Sequence, residues 1–278
     1  MDDVEIITAY CIIADTMHKL GHKSHPLAGV TDAEVLLVAV VSAMYFHSNH
    51  ERALFVMYHM HYLSKPLSTS RFSRRVHALA GWLEYITELI GQLFCQGEAF
   101  IIDSLPVPVC KTVRAYRCRK LLGPNSRAFL GRCAAKKWTF FGWRLHLICT
   151  PGGVPVRFHM LPASFHDLTP IYELTFGLPD GACVYADKGY ISAATKRALR
   201  PTKKRPHGVK LVAKHRENMK PNSFEEWCGM KLYPRQRIET AFSQLVSMGI
   251  QNLHARTDQG LAIKVLACLF ALACFNLH

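Results

Sequence analysis

Between Ser104 and His166 the sequence has no aspartate or glutamate, against 11 lysines and arginines. A solvated face kept basic for solubility would read the same way, but so long a span without one acid favours a polyanionic partner, nucleic acid first. Acidic lipid is the weaker partner, because no basic amphipathic helix stands out. The imbalance is regional. Residues 1–98 carry 10 acidic and 7 basic side chains, residues 99–278 carry 10 and 27, and the whole chain has a formal charge of +14.

Other absences narrow the class. None of the ten cysteines forms a C-x-x-C pair, and several lie within apolar runs as small buried hydrophobes do. The pair His59 and His61 has no matching Cys or His pair, which argues against zinc. The start, MDDVEIITAY, has acids where a secretory leader needs a basic region. The expectation is reduced thiols in a cytoplasmic protein. The apolar tail runs without a charge only from Val265 to Phe275. A membrane span takes roughly 20 residues, so a buried helix is the better reading and no membrane partner is expected. There is no internal repeat and no low-complexity tract. Half the residues are hydrophobic, enough for a substantial core in 278 residues.

Residues 1–97 read as helical. Val35 to Phe46 is an apolar run, and Val76, Leu79, Leu83, Ile86, Ile90 and Leu93 recur at helical spacing. Pro66 and the Ser/Thr residues after it break one helix and can cap the next. Arg71, Arg74 and Arg75 then fall on its first turns, where a recognition helix meets DNA; an ordinary capped helix with exposed arginines fits equally well. From residue 98 the pattern changes. "AFIIDSLPVPVC" is β-rich and its prolines forbid a helix. Two strands follow around the turn Pro151-Gly152-Gly153, then helix, strand, helix, strand, helix. This order predicts an α/β fold, a mixed sheet flanked by helices. Trp138, Phe140, Phe141 and Trp143 read mostly as strand core.

Asp103 follows two isoleucines in the first strand, and Asp187 ends the fourth, after "VYA". If those strands are neighbours, both carboxylates reach one point. Glu239 lies in the last-but-one helix, beside its apolar face. Carboxylates brought together raise one another's pKa, and hard divalent cations relieve the repulsion. The plain alternative is an Asp serving as a turn former, since twenty carboxylates offer many triples.

The segments "IIDSLPVPVC", "ASFHDLTP", "YADKGY" and "RQRIETAFSQL" occur in this order. Together they resemble DDE transposases of bacterial insertion sequences, and most closely insertion-sequence family number 982. The likeness covers nearly the whole chain, "STSRFSRRVHAL" included. It implies an RNase H-like catalytic domain over 98–278, with a helical N-terminal region over 1–97 and a helix-turn-helix there for binding element ends. It implies that Asp103, Asp187 and Glu239 are catalytic and bind two Mg2+ ions, with Mn2+ as substitute. His166 and Asp167 match an accessory His-Asp pair. Arg235, four residues before Glu239, resembles part of a Tyr-Arg-Glu-Lys signature, although Leu232 stands where that signature has tyrosine and Val246 where it has lysine. Arg235 and Glu239 at i, i+4 also make an ordinary helix salt bridge. Lys188, Arg235 and Lys210 are candidates for DNA backbone contact, beside Arg71, Arg74 and Arg75.

The implied activity is metal-dependent cleavage at the ends of an element and joining of the freed 3′-OH to target DNA. The implied partners are terminal inverted repeats, target DNA and a second copy of the chain. Two rivals remain at this point: a structure-selective nuclease or resolvase without strand transfer, and a DNA-binding regulator without catalysis.

Overall fold

A computed structural model describes residues 1–118, 126–133, 137–202, 207–215, 218–233 and 236–277. Helices α1 (Asp3–Lys19), α2 (Asp32–Phe46), α3 (His50–His59), α4 (Thr69–Ala78) and α5 (Ala80–Leu93) come first. Strands β1 (Ala99–Lys111), β2 (Leu130–Cys133), β3 (Trp138–Cys149) and β4 (Pro155–Pro162) follow. Then come α6 (Ile171–Thr175), β5 (Cys183–Ala186), α7 (Ala193–Leu199), β6 (Lys210–Ala213), α8 (Phe224–Leu232), α9 (Gln236–Ser247) and α10 (Asp258–Phe275).

The chain divides into two compact units, Met1–Leu89 with Gln244–His278, and Ile90–Ser243. The sequence-based division at 97/98 grouped α10 with the sheet; by packing, α10 goes with the N-terminal helices. In that helical unit α2 is buried from Glu34 to Ala43 without a break, as a helix apolar on every side must be. It packs against α1, α3, α4 and α10. A capping box starts it: Glu34 N–H donates to Thr31 Oγ1 (3.2 Å) and Thr31 N–H donates back to Glu34 Oε2 (2.5 Å). Helix α10 is apolar and long enough to cross a membrane, yet 67% of it is buried within the fold. The turn after α2 is tied to the C-terminal segment by Ser48 Oγ, which donates to Met248 O at 3.1 Å.

The second unit is a six-stranded sheet in the order β2-β3-β1-β5-β6, with β4 also on β3. β1, β3 and β4 run antiparallel, whereas β1, β5 and β6 run parallel. This is the mixed sheet expected of an RNase H-like domain. Residues alternate between its two faces. Phe100, Ile102, Val184, Ala186 and Leu211 enter a core with Ile171, Leu174 and Leu199 from α6 and α7. Ala99, Tyr185 and Val212 form the other face, under Met230 of α8 and Tyr233.

The β3–β4 hairpin turns where the two glycines predicted it. Gly153 takes φ +94 and its N–H donates to Thr150 O. β5 pairs only with residues 99–102 of β1. Pro106 and Pro108 lie beyond that pairing, where a missing N–H is tolerated. The β1–β3 register shifts between Pro108 and Cys110. There Gly142 lets the strands close, since a Cβ on it would stand 2.5 Å from Val107 O.

Candidate active site

The strand order puts β5 directly beside β1, in parallel register from Ala99 opposite Cys183 to Ile102 opposite Ala186. The next residue in each case is an aspartate: Asp103 within β1, opposite Leu147 of β3, and Asp187 just past the end of β5. Asp187 keeps an extended backbone (φ −77, ψ 175), so the alternation continues past the strand end. Asp103 and Asp187 stand level on one face of the sheet, both half-buried. Asp103 Oδ1 accepts the N–H of Ser104 at 2.8 Å.

Directly after Asp187 the chain makes one 3-10 turn, Lys188–Tyr190. Tyr190 is 1% exposed, and its hydroxyl meets no hydrogen-bond partner among the described residues. Its pKa is held well above the ordinary tyrosine value, by burial first and then by the charges of Asp167, Asp103 and Asp187, with Arg144 opposing. The hydroxyl thus senses three carboxylates.

The third of these, Asp167, comes from the loop between β4 and α6. Its Oδ1 accepts from Ser104 Oγ at 2.7 Å and lies 3.7 Å from Arg144 Nη1. Arg144 Nη1 also donates to Ser104 Oγ (3.2 Å), and Nη2 donates to Arg132 O (3.2 Å). The neighbouring His166 faces out, its Nδ1 accepting the N–H of Leu168 at 3.2 Å. The ring caps its own turn, while Asp167 points inward. Below this network His146 is fully buried, opposite Ser104 in the β1–β3 register. Burial chiefly brings its pKa down to about 4; the charge of Asp167 opposes this, and those of Arg144 and His159 add to it.

Glu239 lies in the first turn of α9, exposed, on the wall of a cavity of about 620 Å³. The other walls include Tyr185, Ala186, Trp227, Tyr233, Lys214 and Lys231. Glu239 therefore shares a cavity with the residue preceding Asp187. Among the described residues no group of three or more His, Cys, Asp or Glu is placed to hold a metal ion. The groups that follow Ile102 and Ala186 are nonetheless carboxylates, whose oxygens are the ligands that magnesium and manganese prefer. Lys188 is half-exposed beside Asp187, and Lys210 lines a smaller cavity with Lys196 and Arg200. Arg235 lies outside the described residues.

In the helical unit α4 begins where the sequence predicted, with Ser68 Oγ accepting the Arg71 N–H. Arg71 and Arg74 are exposed and line a cavity of about 750 Å³ with Lys65 and His25. Arg75 turns inward, 2.5 Å from Asp32 and donating to Val30 O at 2.7 Å. Nine residues, 60–68, separate α3 from α4, more than the three or four of a tight helix-turn-helix. All ten cysteines are free thiols.

Sequence reasoning missed Ser104, Arg144 and Tyr190. The signal for Arg144 was an arginine inside the otherwise apolar strand "FFGWRLHLIC", a charge that has to find a partner. It also missed α8, whose Trp227 carries Lys231 Nζ 5.7 Å over its ring.

The fold and the paired aspartates define a candidate metal-dependent nucleic-acid enzyme of the RNase H-like class. Residues 94–258 match the family model described as "Transposase DDE domain". The chain belongs to the DDE transposase family. It is also 37% identical over 59 residues to the "Transposase for insertion sequence element IS1106" of Neisseria meningitidis serogroup B. That alignment covers 21% of this chain and 20% of the relative. Neither match singles out insertion-sequence family number 982. No solved structure matches.

Proposed function

We propose that the chain is an insertion-sequence transposase that cuts DNA at the ends of its element and joins the freed ends to a target. The observation supporting this reading is the parallel pairing of β1 with β5 up to Ile102 and Ala186, the residues just before Asp103 and Asp187. In this reading Asp103 and Asp187, with Glu239 as third carboxylate, hold two divalent ions. When bound, magnesium, or manganese in its place, supplies Lewis-acid stabilisation of the charge on the reacting phosphate. Glu239 is supported by the cavity it shares with Ala186.

The first step is hydrolysis: a water oxygen bonds to phosphorus, the bond from phosphorus to the 3′ oxygen breaks, and that oxygen leaves as a hydroxyl. In the second, the 3′-OH attacks a target phosphorus and displaces a target 3′ oxygen. Lys188, Lys210 and Arg235 would hold the sugar-phosphate backbone. Arg71 and Arg74 on α4 would contact the terminal inverted repeats. Arg75, paired with Asp32, supports the helix that carries them. The helical unit would then bind ends and the unit Ile90–Ser243 would catalyse, in a cytoplasmic protein that pairs two ends as a dimer on DNA.

The test is a pre-cut element end with a free 3′-OH, incubated with target plasmid and Mg2+. Joined products support the transposase. Cutting of uncut ends without joining would make the chain a nuclease, and binding with neither would make it a regulator.

A further inference from the structure

We propose that Asp167 is a positioning residue that sets the spacing of Asp103 and Asp187, acting through Ser104 and Arg144. The proposal rests on the reading of Asp103 and Asp187 as divalent-cation ligands, and goes beyond it by naming a side chain that ties the segment around Asp103 to the turn after Asp187.

The hydrogen bonds have a direction. A serine hydroxyl has one proton and two lone pairs, whereas arginine can only donate. Arg144 Nη1 donates to Ser104 Oγ at 3.2 Å, so the Ser104 proton goes to the carboxylate it faces, Asp167 Oδ1 at 2.7 Å. Arg144 is held in turn through Nη2 on Arg132 O at 3.2 Å. The chain Arg144 to Ser104 to Asp167 fixes the hydroxyl in one rotamer. Ser104 is also the residue whose N–H is bonded to Asp103 Oδ1, at 2.8 Å.

The other oxygen of Asp167 faces the other strand. A Cβ built on Gly189 would stand 3.2 Å from Asp167 Oδ2, so this carboxylate packs against the turn that begins after Asp187. One side chain therefore touches the neighbour of Asp103 with one oxygen and the turn following Asp187 with the other. The two strands pair only as far as Ile102 and Ala186. Beyond that pairing Asp167 reaches both sides and acts as a clasp. Groups that orient ligands in this way typically contribute 10–100-fold to metal affinity.

The test is Mn2+ binding to the full chain by calorimetry, with Asp103→Ala as reference. Asp167→Asn and Ser104→Ala should each weaken Mn2+ by roughly 10-fold. The double variant should be no worse than either single one, because both changes break the same chain. Asp167→Glu should recover part of the loss. Ser104→Ala removes one hydroxyl only and keeps the test open if Asp167→Asn does not fold. Additive losses, or loss of all binding in Asp167→Asn with none in Ser104→Ala, would make Asp167 a direct ligand and overturn the proposal. Wild-type affinity in both single variants, with binding lost in Asp103→Ala, overturns it too while sparing the reading beneath. Unchanged binding in Asp103→Ala overturns that reading and the proposal together.

Discussion

Asp103, inside β1, and Asp187, just past β5, each come one residue after the paired Ile102 and Ala186 of these neighbouring parallel strands. Replacing either by alanine should lower cleavage of element-end DNA by roughly 10³-fold or more, about 4 kcal/mol in the barrier. Glu239→Ala should do the same. End binding in a gel-shift assay should persist in all three variants. Removal of divalent ions with EDTA should stop cleavage, and restoring Mg2+ or Mn2+ should return it.

The arginines of α4 should separate by role. Arg71→Ala and Arg74→Ala should each weaken DNA binding and reduce the slope of log K against log salt by about one. Arg75→Ala should instead lower stability, by about 1–2 kcal/mol, since it removes a half-buried partner of Asp32 and a bond to Val30 O. A denaturant midpoint and a salt titration on the same preparations distinguish the two effects.

His50 should make the protein sensitive to mild acid. Burial first, then the charges of Lys264 and His77, bring its pKa down from 6.5 to about 4. It sits edge-on to Phe72 with ring centroids 5.0 Å apart. A group depressed on folding takes up its proton more readily when unfolded, so stability falls as pH drops below 6.5 and levels off near 4. At about 1.4 kcal/mol per unit, the loss reaches roughly 3 kcal/mol. His50→Gln should roughly halve the fall in melting temperature between pH 6.5 and 4.5, because the buried His146, also brought down to about 4, keeps its own share. An equally steep fall in the variant would remove His50 as the cause.

Close approach at β3 gives a purely structural prediction. Gly142→Ala places a Cβ 2.5 Å from Val107 O and 2.7 Å from Val109 N, both backbone atoms that cannot rotate away. Destabilisation of about 1–3 kcal/mol is expected, read as a lower urea midpoint with an unchanged slope.

Where local chemistry decides the structure, the sequence was readable. The Pro-Gly-Gly turn fixed the β3–β4 hairpin, Ser68 capped α4, and the apolar run after Lys264 became a buried helix. The two aspartates were visible because each interrupts a run of strand formers. What could not be read depends on partners distant in sequence. β2 has four residues and exists by pairing with β3. α8 has no fully buried residue and alternates apolar and polar side chains weakly. Asp167, Ser104 and Arg144 lie on three elements, and only strand pairing and the loop after β4 bring them together. The same holds for α10, whose partner α2 lies more than 200 positions upstream.

That last pairing bears on biosynthesis. The helical unit is assembled from the two ends of the described chain, with the whole sheet between them. On the ribosome, α2 waits with an apolar flank uncovered until α10 has left the exit tunnel, long after the strands have emerged. The sheet can close first, and the nascent helices need a chaperone or a transient collapse to keep them from aggregating.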